Sequence, residues 1–163
     1  MASVGCAVNK LNPVMTLLPL LAADAEQAHA IHTAVQYKPW SRKTFEDCLT
    51  QPYEGWMLKQ DGGVTGFCIL LYVLDEVTLM EIAVAPEQQG KGLGREMLTF
   101  VLSHCKAKGM HSCWLEVRAS NAPAIHLYTK QGFEVVETRK GYYPTSSGRE
   151  DAIVMVKRFF ELP

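Results

Sequence analysis

The sequence predicts an α/β fold, a mixed and mostly antiparallel central sheet with helices on both faces, and three observations predict it. Two apolar runs, residues 56–60 and 64–74, flank Asp61-Gly62-Gly63 and are followed after Asp75-Glu76 by a third over 77–84. Glycine supplies the positive φ that tight hairpin turns need, so these runs read as consecutive antiparallel strands. Residues 93–108 then carry apolar side chains at helical spacing and stop at Gly109, which reads as one long amphipathic helix. The remainder alternates, with strands at 111–117, 133–143 and 150–157 and a short helix between the first two. Antiparallel strands followed by strand–helix–strand units give a mixed sheet covered on both sides.

Each element has a local reason. Residues 1–14 are small and mixed in character, with Gly5 and Pro13 and no period. They are read as a loose extension ahead of a single domain spanning 15–163, with Met15 as a natural beginning. Residues 16–20 read as a first strand. Asp24 is placed to cap a helix reaching about Val35, with Gln27 completing a capping box and Ile31 and Val35 on one face. Ser41 is placed to cap a second, short helix carrying Phe45 and Leu49. Downstream, Asn121 reads as the N-cap of the other short helix, Pro123 is tolerated in its first turn, and Gly132 is its C′ residue.

Composition excludes several classes of function. At 163 residues the chain is long enough for one buried core. Its 16 basic and 17 acidic residues leave a formal charge of −1, so no global field attracts nucleic acid or an anionic membrane. No apolar run approaches the ~18 residues of a membrane span, and no secretion signal is read, so a cytoplasmic protein is expected. Cys6, Cys48, Cys68, Cys105 and Cys113 form no Cys-x-x-Cys pair and read as small core residues rather than a disulfide framework. Cys113 lies in a strand with no basic group at a suggestive spacing and is not taken as a nucleophile. His29 and His32 share a helix face; lacking a third ligand they read as a solvated surface pair, and no metal is expected.

Two motifs carry the chemistry. Between the strand closed by Pro86 and the long helix sits Gln89-Gly90-Lys91-Gly92-Leu93-Gly94-Arg95. Successive glycines let the backbone turn tightly with amide N–H groups uncovered. The helix start adds its unpaired N–H groups and positive dipole end, so a pyrophosphate fits. A P-loop is excluded because Lys91 is followed by Gly92 and not by the Ser or Thr that holds magnesium. The dinucleotide fingerprint is excluded because, taken from Gly90 and Gly92, its sixth position is Arg95.

The second motif is Trp114-Leu115-Glu116-Val117-Arg118-Ala119-Ser120-Asn121, then Ala122-Pro123-Ala124-Ile125-His126-Leu127-Tyr128 and Gly132-Phe133. It reads as a strand, a loop and a one-face helix. Gln-x-x-Gly-x-Gly-Arg after a strand, followed at this separation by Glu-x-x-x-x-Asn-x-Pro-Ala-x-x-Leu-Tyr-x-x-x-Gly-Phe, resembles the GCN5-related N-acetyltransferases, the GNAT family. Further segments narrow the likeness: Pro39-Trp40-Ser41 with Thr44-Phe45, and Tyr142-Tyr143-Pro144-Thr145 with Gly148-Arg149-Glu150-Asp151-Ala152-Ile153. These are similar to the bacterial branch that acetylates the N-terminal alanine of a small-subunit ribosomal protein, and the likeness runs over about residues 15–156.

The resemblance implies a GNAT fold whose sheet is splayed at an acyl-CoA site, with acetyl-CoA as cosubstrate. It implies that the backbone of Ile82, Ala83 and Val84 meets the pantetheine arm. Gly90, Lys91, Gly92, Leu93, Gly94 and Arg95 would hold the pyrophosphate, and Asn121 would hydrogen-bond the CoA arm besides capping its helix. Glu116 matches the family's proton acceptor; apart from the resemblance it reads equally as a surface carboxylate paired with Arg118 or a lysine. Glu81 is the second candidate base. Tyr128 matches the proton donor to the CoA sulfur, with a core aromatic as the plainer reading. Tyr37, Trp40 and Tyr142 are implied along the path of the peptide substrate.

At about pH 7.4, deprotonation costs roughly 0.5 kcal/mol for an α-amine and roughly 4 kcal/mol for a lysine, so an N-terminal substrate asks less of a base. The expected reaction is acetyl transfer to a protein N-terminal α-amine, with a ribosomal protein as partner, no nucleic acid or membrane, and the chain acting as a monomer. A lysine or small-amine acetyltransferase on the same scaffold, and a non-catalytic acyl-CoA-binding module, stand as alternatives.

Overall fold

The computed structural model describes residues 17–160, so the expectation for residues 1–14 lies outside the described residues. The described chain runs through β1 (Leu18–Pro19), α1 (Ala25–Val35), α2 (Arg42–Asp47), β2 (Tyr53–Gln60), β3 (Gly63–Val73) and β4 (Glu76–Val84). It continues through α3 (Leu93–Ala107), β5 (Ser112–Arg118), α4 (Ala122–Lys130), β6 (Glu134–Thr145) and β7 (Gly148–Arg158). The strands form one sheet in the order β1-β2-β3-β4-β5-β7-β6, and β4–β5 is its parallel pair. This is the mixed, mostly antiparallel sheet the sequence predicts.

Alternation along β3 sets two cores. Phe67 and Ile69 face one side, where Leu20, Ala28, Ile31 and Phe45 bring α1 and α2 onto the sheet. Cys68 and Leu70 face the other, with Met97, Leu98 and Val101 of α3 and Tyr128 of α4. Phe45, Phe67, Met97 and Leu98 are fully buried, each worth about 1.5–3 kcal/mol of water exclusion. Exposed pairs such as Lys43–Asp47 add little beside that.

A bulge opens the sheet. Ile69 lies opposite Glu81 but Leu70 lies opposite Leu79, which leaves Met80 as an extra residue in β4. Leu79 therefore packs toward α3 while Glu81 and Ala83 turn toward α1. Pairing of β4 with β5 stops at the same place: Glu76, Val77 and Thr78 lie opposite Ser112, Cys113 and Trp114, and no pairing follows. From Leu79 onward β4 keeps β3 on one edge and faces a gap on the other.

Several local expectations are corrected. Asp24 stands at the N-cap position of α1 and ends a short 3-10 turn, but its side chain makes no capping bond; it pairs with Lys59, Nζ to Oδ1 3.1 Å. Gln27 closes no capping box, because its Oε1 accepts from the Val64 N–H at 2.9 Å, tying α1 to β3. Ser41 does cap α2, its Oγ accepting from the Thr44 N–H at 3.2 Å, but α2 ends at Asp47, short of Leu49. The last hairpin is longer than its apolar runs suggest, since Tyr143, Pro144 and Thr145 pair with Glu150, Arg149 and Gly148.

Candidate active site

The gap beside β4 is a cavity of about 480 Å³. One wall is β4 from Leu79 to Ile82; the opposite wall is Leu115, Glu116, Val117 and Arg118 at the end of β5. Asn121 and Tyr128 close one side, His32, Gln36, Tyr37, Lys38 and Trp40 another, and Tyr143 and Pro144 a third. Segments far apart in sequence meet here because the β4–β5 pair is parallel, so both strands end at the same edge of the sheet.

The cofactor end is built largely from backbone. Ile82, Ala83 and Val84 lie opposite Cys68, Phe67 and Gly66 of β3, which leaves the other edge of β4 toward the gap. The chain then turns through Pro86–Gln88 into the glycine segment. Gly92 is the N-cap of α3 with φ 80°, a left-handed conformation that favours glycine. A Cβ on Gly90 or Gly94 would meet nothing within 4 Å, and on Gly92 only the Arg95 guanidinium at 3.7 Å. The turn is thus open, with the unpaired N–H groups of α3 behind it. Leu93 is buried in the core, so what it offers outward is its backbone. Lys91 Nζ donates to Gln88 Oε1 at 2.9 Å, and Gln89 Nε2 donates to the Val84 carbonyl at 3.1 Å, fastening the turn to the strand end.

Tyr128 is held by the way α4 ends. Phe133 N–H donates to the Tyr128 carbonyl at 3.0 Å and Gly132 N–H to the Thr129 carbonyl at 3.1 Å, the two bonds of a Schellman motif. The rings of Tyr128 and Phe133 pack with centroids 5.7 Å apart. At the other end Asn121 Oδ1 accepts from the Ala124 N–H at 3.2 Å, so its capping role is realised. Burial, with smaller contributions from Cys113 and Tyr143, pushes the Tyr128 phenol up to about 12.

The acidic residues are arranged differently from one another. Glu116 is half-buried, its Oε1 2.7 Å from Arg139 Nη1 on β6. Arg118, the partner in the plainer reading of Glu116, is engaged elsewhere: it donates to Glu150 Oε1 and to the Pro144 carbonyl, both at 3.1 Å, and lies over the Tyr143 ring. Glu81 is buried, with His32 Nδ1 2.6 Å from Oε2 and Gln36 Nε2 donating to Oε1 at 2.7 Å. Tyr143, between the walls, is pushed up to about 12 by burial and by the charge of Glu116.

Thus Glu81, Ile82, Glu116, Asn121, Tyr128, Tyr37 and Trp40 share one cavity. Tyr142 does not line it; it is exposed, 5.5 Å under the Arg139 guanidinium, because the β6 strand is irregular between Arg139 and Tyr143. Its neighbour Tyr143 takes the place on the wall. Cys48, Cys68, Cys105 and Cys113 are buried free thiols, all raised by burial, as core residues should be.

Residues 21–133 match the acetyltransferase (GNAT) family. The chain belongs to the GNAT family. It is 44% identical over 140 residues to the [ribosomal protein bS18]-alanine N-acetyltransferase of Escherichia coli strain K12, covering 86% of this chain and 95% of that protein. It is 42% identical over 135 residues to the protein of the same name from Haemophilus influenzae, covering 82% and 92%. The crystal structure of the ribosomal-protein-S18-alanine N-acetyltransferase from Escherichia coli superposes with a TM-score of 0.86 at 41% identity, covering 91% of this chain and 96% of that one. GNAT proteins use acetyl-CoA, and among the described residues of this one no helix is long and apolar enough to cross a membrane.

Three parts of this GNAT cavity, and one residue beside it, were not foreseen in the sequence. His32 is not solvated but 2% exposed, and Gln36, Arg139 and Tyr143 had no assigned place. For α1 a signal was present: His29, His32 and Gln36 form a polar stripe at i, i+3 and i+7, alongside the small buried residues Ala25 and Ala28. Arg139 and Tyr143 gave none, because the irregular β6 register decides which side chain meets Glu116 and which reaches the wall.

Proposed function

We propose that this protein transfers acetyl from acetyl-CoA to the N-terminal α-amine of the alanine that begins ribosomal protein bS18. The observation that carries the reading is that Glu116 and Tyr128 line one cavity with the free edge of β4. The named relatives, each aligned over more than four fifths of the chain, support the substrate.

In this reading the pyrophosphate sits on the turn at Gly90, Lys91, Gly92, Leu93, Gly94 and Arg95. The pantetheine arm lies along Ile82, Ala83 and Val84, with Asn121 beside it. The neutral amine attacks the thioester carbonyl; an N–C bond forms and the C–S bond breaks. Glu116 takes the amine proton directly or through one water. Tyr128 hydrogen-bonds the departing sulfur. With its phenol at about 12 against a free thiol near 8.5, complete proton transfer to the thiolate is uphill by roughly 5 kcal/mol, so Tyr128 acts as a fixed donor that stabilises developing charge. Trp40, Tyr37 and Tyr143 border the peptide.

Mass spectrometry of three peptides sharing one sequence tests this: a free N-terminal Ala, a blocked N-terminus with a free Lys, and an N-terminal Ser. One acetyl group on the Ala peptide, with the blocked peptide untouched, is expected. Acetylation of the lysine alone would shift the reading to a lysine acetyltransferase, and no thiol release with any amine would make the protein a binding module.

A further inference from the structure

One helix holds Trp40 by both of its backbone groups. His29 Nε2 lies 2.7 Å from the Trp40 carbonyl, to which it donates, and the Trp40 N–H donates to His32 Nε2 at 2.8 Å. The second bond locates a proton. Because His32 Nε2 accepts, the neutral ring carries its hydrogen on Nδ1, and Nδ1 is 2.6 Å from Glu81 Oε2. With Nδ1–H donating, Glu81 Oε2 is the acceptor, and Gln36 donates to Oε1. The His32 and Glu81 side chains are only 3% and 5% exposed.

The two carboxylates of the cavity therefore differ in charge balance. Glu116 faces the Arg139 guanidinium, whereas Glu81 has a neutral imidazole and an amide, and enters no ion pair with a lysine or arginine among the described residues. A buried carboxylate satisfied only by neutral donors attracts a cation strongly, and an incoming α-ammonium is one.

We infer that His32 is a positioning residue for the amine substrate, holding the acceptor oxygens of Glu81, which pair with no lysine or arginine among the described residues, on the cavity wall and fixing Trp40 beside it. The ammonium docks against Glu81 and gives up its proton to Glu116. This rests on the proposed reading of the cavity as an amine-acetylation site. Glu81 thereby gains a role in binding that is distinct from the base, and His32, hydrogen-bonded to it, acts through it.

The test is steady-state kinetics on the full chain with the Ala peptide, alongside calorimetry of acetyl-CoA. His32→Ala is expected to raise the peptide KM by tenfold or more, with turnover changed by less than threefold and acetyl-CoA affinity within twofold of wild type. His32→Asn restores an N–H donor toward Glu81 and should recover most of the KM. Glu81→Gln should raise KM to a similar degree, and adding His32→Ala to it should add little. A loss confined to turnover, equal loss of acetyl-CoA binding, or additive effects without rescue by Asn would overturn the inference. Should the wild type accept only the lysine peptide, the substrate reading falls, and the same KM split measured on that amine still decides the role of His32.

Discussion

The two ends of the cleft are built from different materials. The cofactor end is main chain: the free edge of β4, an open glycine turn and the first N–H groups of α3. The amine end is side chains from elements distant in sequence, with Glu81, Glu116, Trp40 and Tyr143 brought together by the bulge at Met80 and the irregular β6 strand. A main-chain site depends on which positions carry no side chain, whereas a side-chain site depends on where the fold delivers each group. Substitutions at the first end should change affinity for acetyl-CoA, and at the second they should change the fate of the amine.

The largest expected effect is at the main-chain end. Gly92→Val should abolish acetyl-CoA binding by calorimetry, because a branched side chain fills the open turn. The left-handed conformation costs a non-glycine residue about 1–2 kcal/mol, small against a domain stability of roughly 5–15 kcal/mol, so circular dichroism should still show a folded protein. Unchanged affinity would remove the pyrophosphate from this turn.

Next comes the side-chain end. Glu116→Gln should leave acetyl-CoA affinity in place and lower turnover by ~10²–10⁴, the usual worth of a general base. Tyr128→Phe should lower turnover by roughly 10–10²-fold, less than loss of an oxyanion-hole donor costs, because a thiolate leaves readily. If it abolished acetyl-CoA binding instead, Tyr128 would belong to the main-chain end as packing.

The smallest effect is a control outside the cleft. Glu54 is raised by burial, but that is outweighed by hydrogen bonds from Trp56 and Tyr72 and by the charges of Lys108 and His104, so its carboxyl lies below the usual range. A depressed carboxyl stabilises the fold above its unfolded pKa, and that stability is lost as pH falls through the lower folded value. Glu54→Gln should therefore cost about 1–2 kcal/mol in urea unfolding at pH 7, with the gap to wild type closing below about pH 4, while turnover stays unchanged.

This contrast also explains what was legible in the sequence. Gly90, Gly92 and Gly94 announce an open turn by their identity, and Asn121, Pro123 and Gly132 announce the ends of α4, since each residue type answers a local backbone demand. Period-2 alternation along β3 separates the two cores, whereas the strand order is set by pairings between segments distant in sequence. Tyr142 was expected at the wall and Tyr143 stands there, because one irregularity in β6 reassigns every side chain beyond it. His32 looked solvated because a helix face shows its period but not its partner, and the partner, Glu81, is 49 residues away.

The pH dependence of turnover for Glu116→Gln beside wild type, measured with the N-terminal Ala peptide, tests the central claim most directly. If Glu116 is the base for an α-amine, the deficit of ~10²–10⁴ at pH 7 should shrink as pH rises past about 8, where solution itself supplies the neutral amine. Near wild-type turnover for Glu116→Gln at pH 7, with Glu81→Gln losing turnover instead, would place the base on β4 and contradict the account.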